Sequence, residues 1–138
     1  MRIVLDTNVF ISGIFFTGPP YQILKAWRDG RVQLVVSPSI LDEYRRIEGE
    51  LALKFQGIDL KPFLDLLTVQ AEVVLAPTLP PVLHEDPSDD KFLEAAVAGK
   101  ARCIVSGDKH LLKLSVFQEI QILKPGDFVQ RYLKDKVE

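Results

Sequence analysis

Five short apolar runs, rich in β-branched residues, recur along the chain at Arg2–Leu5, Val32–Val36, Glu72–Leu75, Cys103–Val105 and Ile120–Leu123. Between them the apolar residues return every three or four positions, the spacing of a helix with one buried face. Strands that alternate with helical crossovers pair in parallel, and a parallel sheet needs cover on both sides. The pattern predicts an α/β protein: a three-layer α/β/α domain around a central five-stranded, mostly parallel sheet. A length of 138 residues suits one domain over residues 1–138, with a frayed tail at about 134–138.

The crossovers can be placed by their punctuation. Gly18-Pro19-Pro20 opens a helix carrying Ile23, Leu24 and Trp27, and Asp29-Gly30 ends it. Ser37-Pro38-Ser39 precedes a helix whose apolar face is Ile40, Tyr44, Ile47 and Leu51. Leu60 to Val69 carries Phe63, Leu64 and Leu67 on one face, and Pro77, Pro80 and Pro81 mark a loop. Asp90 to Ala98 is helical with Leu93, Ala96 and Val97 inward, and Gly99 stands where helices commonly stop. A short helical turn is expected at Lys109 to Lys113, and Pro125 opens a last helix to about Leu133. Asp6-Thr7-Asn8 reads as polar loop chemistry after the first strand.

Composition narrows the function. Hydrophobic residues make up 47% and charged residues 26%, so a true core is expected and disorder is not. With 17 Lys+Arg against 19 Asp+Glu, the chain lacks the basic excess of a protein that coats duplex nucleic acid, and any such contact must be local. The single cysteine, Cys103, forms no internal disulfide, and with only His84 and His110 beside it a closed Cys/His zinc site is excluded. Cys103 reads as a small buried hydrophobe, which argues against a thiol hydrolase and fits a reducing cytoplasm. Asp6 interrupts the opening apolar run, and nowhere do about 18 apolar residues run together. The expectation is a chain neither exported by a signal peptide nor membrane-spanning.

The acids carry the functional signal. Asp6 and Asp108 each stand just past the carboxyl end of a predicted strand, the edge at which open parallel sheets bind ligands where strand order reverses. If strand one is central, with strands two and three to one side and four and five to the other, these two acids become neighbours. Glu43 lies about one turn into the helix after strand two, and Asp90 opens the helix before strand four, both at that edge. Gathered carboxylates repel, and either raised pKa values or a hard cation relieves them. Mg²⁺ or Mn²⁺ prefers such oxygen ligands and promotes phosphodiester hydrolysis.

These residues resemble a family. Ile3-Val4-Leu5-Asp6-Thr7-Asn8-Val9, Leu41-Asp42-Glu43-Tyr44, Asp86-Pro87-Ser88-Asp89-Asp90-Lys91-Phe92-Leu93-Glu94-Ala95-Ala96 and Val105-Ser106-Gly107-Asp108-Lys109 look like the PIN-domain nucleases, in order and from end to end. Within these the chain is most like the small single-domain proteins related to the VapC toxins of toxin–antitoxin pairs. The resemblance implies a five-stranded parallel sheet, an Mg²⁺- or Mn²⁺-dependent endoribonuclease acting on RNA, a homodimer, and a small antitoxin partner. Carried over, Asp6, Glu43, Asp90 and Asp108 hold the metal or position its water, with Asn8 and Ser106 arranging carboxylates. His110 departs from the family pattern, which often has an acid there. Helical geometry leaves Asp89 and Asp90 open as the ligand, and the family pattern favours Asp90.

Blander readings stand beside these. Asp6-Thr7-Asn8 could simply cap a helix, Glu43 taken alone is an ordinary solvated helix acid, and Ser88 or Asp89 could cap the helix that follows. Lys91 and Lys109, each next to a proposed ligand, and Arg46 are candidate RNA phosphate contacts, with Arg45 and Lys113 nearby. Trp27, Phe63, Phe92 and Phe117 read as core or dimer surface and not as base-stacking platforms. Two other functions fit less well. An aspartyl-phosphate hydrolase wants a second acid where this chain has Asn8. A non-cleaving PIN-fold module binding RNA or protein has no physical need for so costly a cluster of like charges.

Overall fold

A computed structural model describes residues 1–54, 61–76 and 89–134. The proline loop at 77–81, His84, the Asp86–Ser88 stretch and residues 135–138 of the tail lie outside the described residues, as do the side chains of Phe63 and Leu64.

The strands are β1 (Arg2–Leu5), β2 (Gln33–Val36), β3 (Glu72–Val73), β4 (Cys103–Val105), β5 (Val116–Phe117) and β6 (Ile120–Leu123). They form one sheet in the order β3-β2-β1-β4-β6-β5, parallel throughout except for β5 on β6. Helices cover both faces, so the domain is the expected α/β/α sandwich with a central β1. The sheet has six strands where five were expected. Gln118 and Glu119 both have positive φ, 49° and 70°, the two-residue turn that twists correctly into an antiparallel hairpin. Neither is the Asn or Gly that announces such a turn in a sequence, so the two-residue strand β5 left no trace there.

The helices are α1 (Thr7–Phe15), α2 (Pro19–Arg28), α3 (Pro38–Lys54), α4 (Lys61–Gln70), α5 (Asp90–Ala98), α6 (Lys109–Leu114) and α7 (Pro125–Phe128), and a π-helical turn at Val129–Leu133 continues α7. Helix α1 begins immediately where the sequence suggested a polar loop. Its Val9, Ile11 and Ile14 are β-branched and weak helix formers, and its two sides are nearly equally apolar. One local and one tertiary feature overcome this: the Asp6 carboxylate caps the helix by accepting from the Val9 N–H at 2.8 Å, and Phe10 is buried in a stacked contact with Tyr44 at 4.3 Å.

The core is continuous. Ile3, Val4, Leu5, Leu34, Val35, Val36, Cys103, Ile104 and Val105 are essentially inaccessible, as expected for central parallel strands. Helix α5 lies across β1, β2 and β4, while α3 touches both α1 and α5. Trp27 and Phe92 are buried in this core, as their spacing suggested. No helix among the described residues is long and apolar enough to cross a membrane.

Gly99 is the C-cap of α5, where the helix stops as its position suggested, and it has a second task. The left-handed residue after α5 is Lys100, with φ 53°, whereas Gly99 allows α5 to approach β2: a Cβ there would stand 2.4 Å from Val35 Cγ1. Gly99→Ala is expected to lower the free energy of unfolding by about 1–3 kcal/mol, the usual cost of overpacking a dense core. Urea denaturation measures it, and Val35→Ala should cost less in that variant than in the wild-type chain because the two sites share one contact.

Candidate active site

β1 has β2 on one side and β4 on the other, so the crossovers leaving β1 and β4 part at the carboxyl edge of the sheet and open a crevice. The backbone leaves β1 at Leu5 and β4 at Val105, which pair in register, and Asp6 N–H donates to the Val105 carbonyl at 3.1 Å. A pocket of about 240 Å³ lies at this edge, walled by Asp6, Thr7, Asn8, Glu43, Arg46, Ile47, Asp89, Phe92 and Asp108.

Asp6 is only 5% exposed. One oxygen caps α1 through Val9, and the other accepts the hydroxyl of Ser106, itself fully buried. Burial pushes the Asp6 carboxyl above its ordinary value; hydrogen bonds from Ser106, Val9 and Gly107 oppose the shift, and the charge of Asp108 adds to it. Asp108 caps α6, its Oδ1 accepting from the N–H groups of His110 and Leu111 at 2.8 and 3.2 Å. Ser106 Oγ also accepts the Asp108 N–H at 2.9 Å, so one hydroxyl ties the two acids together. The capping and functional readings of these acids are compatible, since each cap leaves carboxylate lone pairs directed elsewhere.

Glu43 arrives from α3. Tyr44, the next residue, is fully buried and donates its hydroxyl to the Leu5 carbonyl at 2.5 Å, which pins α3 to the end of β1. Burial, followed by the Asp6 and Glu43 charges, holds that phenol well above its ordinary value, so it stays a donor. Glu43 Oε1 accepts from Lys91 Nζ at 2.6 Å and Oε2 from Thr7 Oγ1, while Arg46 stands 3.8 Å away. Burial alone would raise its pKa. The Lys91 and Thr7 hydrogen bonds and the Lys91 and Arg46 charges outweigh burial and bring it below the ordinary value.

The structure brings Asp6, Glu43 and Asp108 to one pocket with Asn8 on its exposed rim, but the fourth acid on the wall is Asp89, not Asp90. Asp89 occupies the N-cap position of α5 without a capping hydrogen bond from its side chain, and Asp90 lies in the first turn. Lys91 is turned onto Glu43, Arg46 reaches the pocket, and Lys109, Arg45 and Lys113 are exposed. Thr7 was missed by sequence reasoning, as was the partnership of Lys91 with Glu43, 48 positions away in the chain. No local signal marks either.

The four carboxylates on this wall suit a hard divalent cation in donor chemistry, and a buried acid pushed upward beside another acid is the charge imbalance that a cation relieves. Among the described residues, no group of three or more His, Cys, Asp or Glu is gathered closely enough to hold a metal ion. The acids share a pocket without forming a finished coordination set.

Comparison with known proteins agrees with this geometry. The PIN-domain family profile matches residues 2–110, and the chain belongs to that family. It is also 33% identical, over 97% of its length and 93% of the relative's, to an uncharacterized protein of Methanocaldococcus jannaschii. No solved structure gives a significant match.

A carboxyl whose folded pKa is raised favours the folded state while protonated; that contribution is complete below the ordinary value of 3.8 and is lost as pH rises through the raised value. Ionised Asp6 thus opposes folding at neutral pH. Asp6→Asn, which preserves the shape and an acceptor for Val9, is expected to raise the thermal midpoint by about 2–5 °C near neutral pH without added metal. Melting curves against pH should show the advantage disappearing in acid, below the ordinary carboxylate range.

Proposed function

We propose that this protein is a divalent-cation-dependent endoribonuclease that hydrolyses RNA phosphodiester bonds. The observation that carries the reading is a single pocket at the switch point of the sheet, walled by the carboxylates of Asp6, Glu43, Asp89 and Asp108 from four separate stretches of chain. Membership of the PIN-domain family supports it.

Asp6, Asp108 and Asp89 would hold Mg²⁺ or Mn²⁺, with Ser106 orienting Asp6. Bound there, the cation supplies Lewis-acid chemistry at a phosphodiester. The chain's own residues do the rest. Glu43, kept ionised by Lys91 and Thr7, retains lone pairs with which to orient a water and accept its proton. Arg46 on the pocket wall and exposed Lys109 are placed to meet flanking phosphates, and a sequence without basic excess suits contact with a few nucleotides. The reading extends to a toxin held by a small antitoxin and working as a homodimer, which rests on the resemblance of the sequence motifs to those of the small single-domain VapC-type proteins.

A second reading is a PIN-fold module that binds RNA without cutting. The dispersed acids and the engagement of both Glu43 oxygens favour it.

Labelled single-stranded and looped RNAs incubated with purified protein and Mg²⁺, Mn²⁺ or EDTA separate the two. Cleavage is expected with metal and is expected to fall by about a hundredfold or more in Asp6→Asn and in Asp108→Asn, the scale of a lost catalytic group. RNA retained by folded protein but left intact under every metal condition would favour the binding module. In the same assay Asp89→Asn should reduce cleavage more than Asp90→Asn, because Asp89 faces the pocket; equal losses would return the fourth role to Asp90.

A further inference from the structure

The Lys91–Glu43 pair departs from an ordinary surface ion pair. Both side chains are mostly covered, at 18% and 17% exposure, and the ammonium meets Oε1 at 2.6 Å while lying 5.8 Å from the centre of the Phe92 ring. Thr7 occupies the other oxygen, and Arg46, at 3.8 Å, adds only a distant, exposed charge. Lys91 belongs to the first turn of α5, immediately after Asp89 and Asp90, so the helix that brings Asp89 to the pocket also brings the ammonium to Glu43. A carboxylate this engaged is not freely available to a second cation.

We propose that Lys91 is an internal counter-cation of the site, a positioning residue that holds Glu43 and that a divalent cation must displace in order to use that carboxylate. The inference rests on the reading of the pocket as a divalent-cation site. It would give the protein a built-in threshold: a cation held by Asp6, Asp89 and Asp108 would gain Glu43 as a further ligand only by outcompeting the lysine, and below that threshold Glu43 stays paired with Lys91 and ionised beside it. Two ligands competing for one group weaken each other reciprocally, so removal of the ammonium must strengthen cation binding, and must do so through Glu43.

Mn²⁺ binding to the full chain, followed by calorimetry and by the loss of the free Mn²⁺ paramagnetic signal with no RNA present, tests this in wild type, Lys91→Met, Glu43→Gln and the double variant. Lys91→Met is expected to tighten Mn²⁺ by roughly fivefold, the factor that an ion pair of ordinary strength imposes on a competitor. The gain should vanish in the Glu43→Gln background, and Lys91→Arg, which keeps the charge, should bind as wild type does. Circular dichroism of each variant verifies the fold. An equal gain with and without Glu43 would reduce Lys91 to general charge repulsion and overturn the proposal, as would unchanged or weaker binding in Lys91→Met. Wild-type protein that takes up no Mn²⁺ sensitive to Asp6→Asn would instead remove the cation reading of the pocket, and the proposal with it.

Discussion

Everything at the site depends on β1 being paired in parallel on both sides. Leu5 lies in register with Val105, so the chain emerges from β1 and β4 at the same height and in the same direction, and Asp6 and Ser106 meet although 100 positions separate them. The crevice is a consequence of topology: helical crossovers leaving adjacent strands toward different faces cannot fill the edge between them. Tyr44 extends the same dependence to a third element, since its bond to the Leu5 carbonyl locks α3, and with it Glu43, to the strand that carries Asp6.

Two carboxylates a few residues from this junction are driven in opposite directions. Asp6 is surrounded by neutral donors and a second acid, and burial dominates; Glu43 is surrounded by Thr7, Lys91 and Arg46, and charge pairing dominates. One acid stores unfavourable charge and the other is already neutralised by its neighbours. That division matches the proposed roles, with Asp6 taking up a cation and Glu43 held ionised beside it. It also explains how four acids can share a pocket in a folded protein, because the repulsion is distributed over helix caps, two hydroxyls and one ammonium.

The proposed functional roles and the structural roles coincide here more than they compete. Asp6 and Asp108 satisfy the first N–H groups of α1 and α6, a task that any of several polar residues performs on an exposed helix. Their position just past parallel strands turns the same caps into facing carboxylates. Asp89 illustrates the converse, standing at a cap position while its side chain makes no cap and instead walls the pocket.

The order of elements was legible in the sequence because burial on both faces imposes continuous apolar runs on parallel strands, and a single buried face imposes a helical period on α2, α3 and α5. The same local signals pointed to Asp6, Glu43 and Asp108 as acids at the carboxyl edge of the sheet, and all three line one pocket there. What the sequence alone did not hold is whatever depended on long-range contact. Helix α1 lacks a clear amphipathic period and, beyond its local Asp6 cap, stands on Phe10 against Tyr44; β5 exists through a turn whose residues give no sign of it. The choice of Asp89 over Asp90 is a rotation of about 100° at the start of a helix, too fine for periodicity to resolve. The pairing of Lys91 and Thr7 with Glu43 required β1, α3 and α5 to be packed together first, and only the tertiary structure does that.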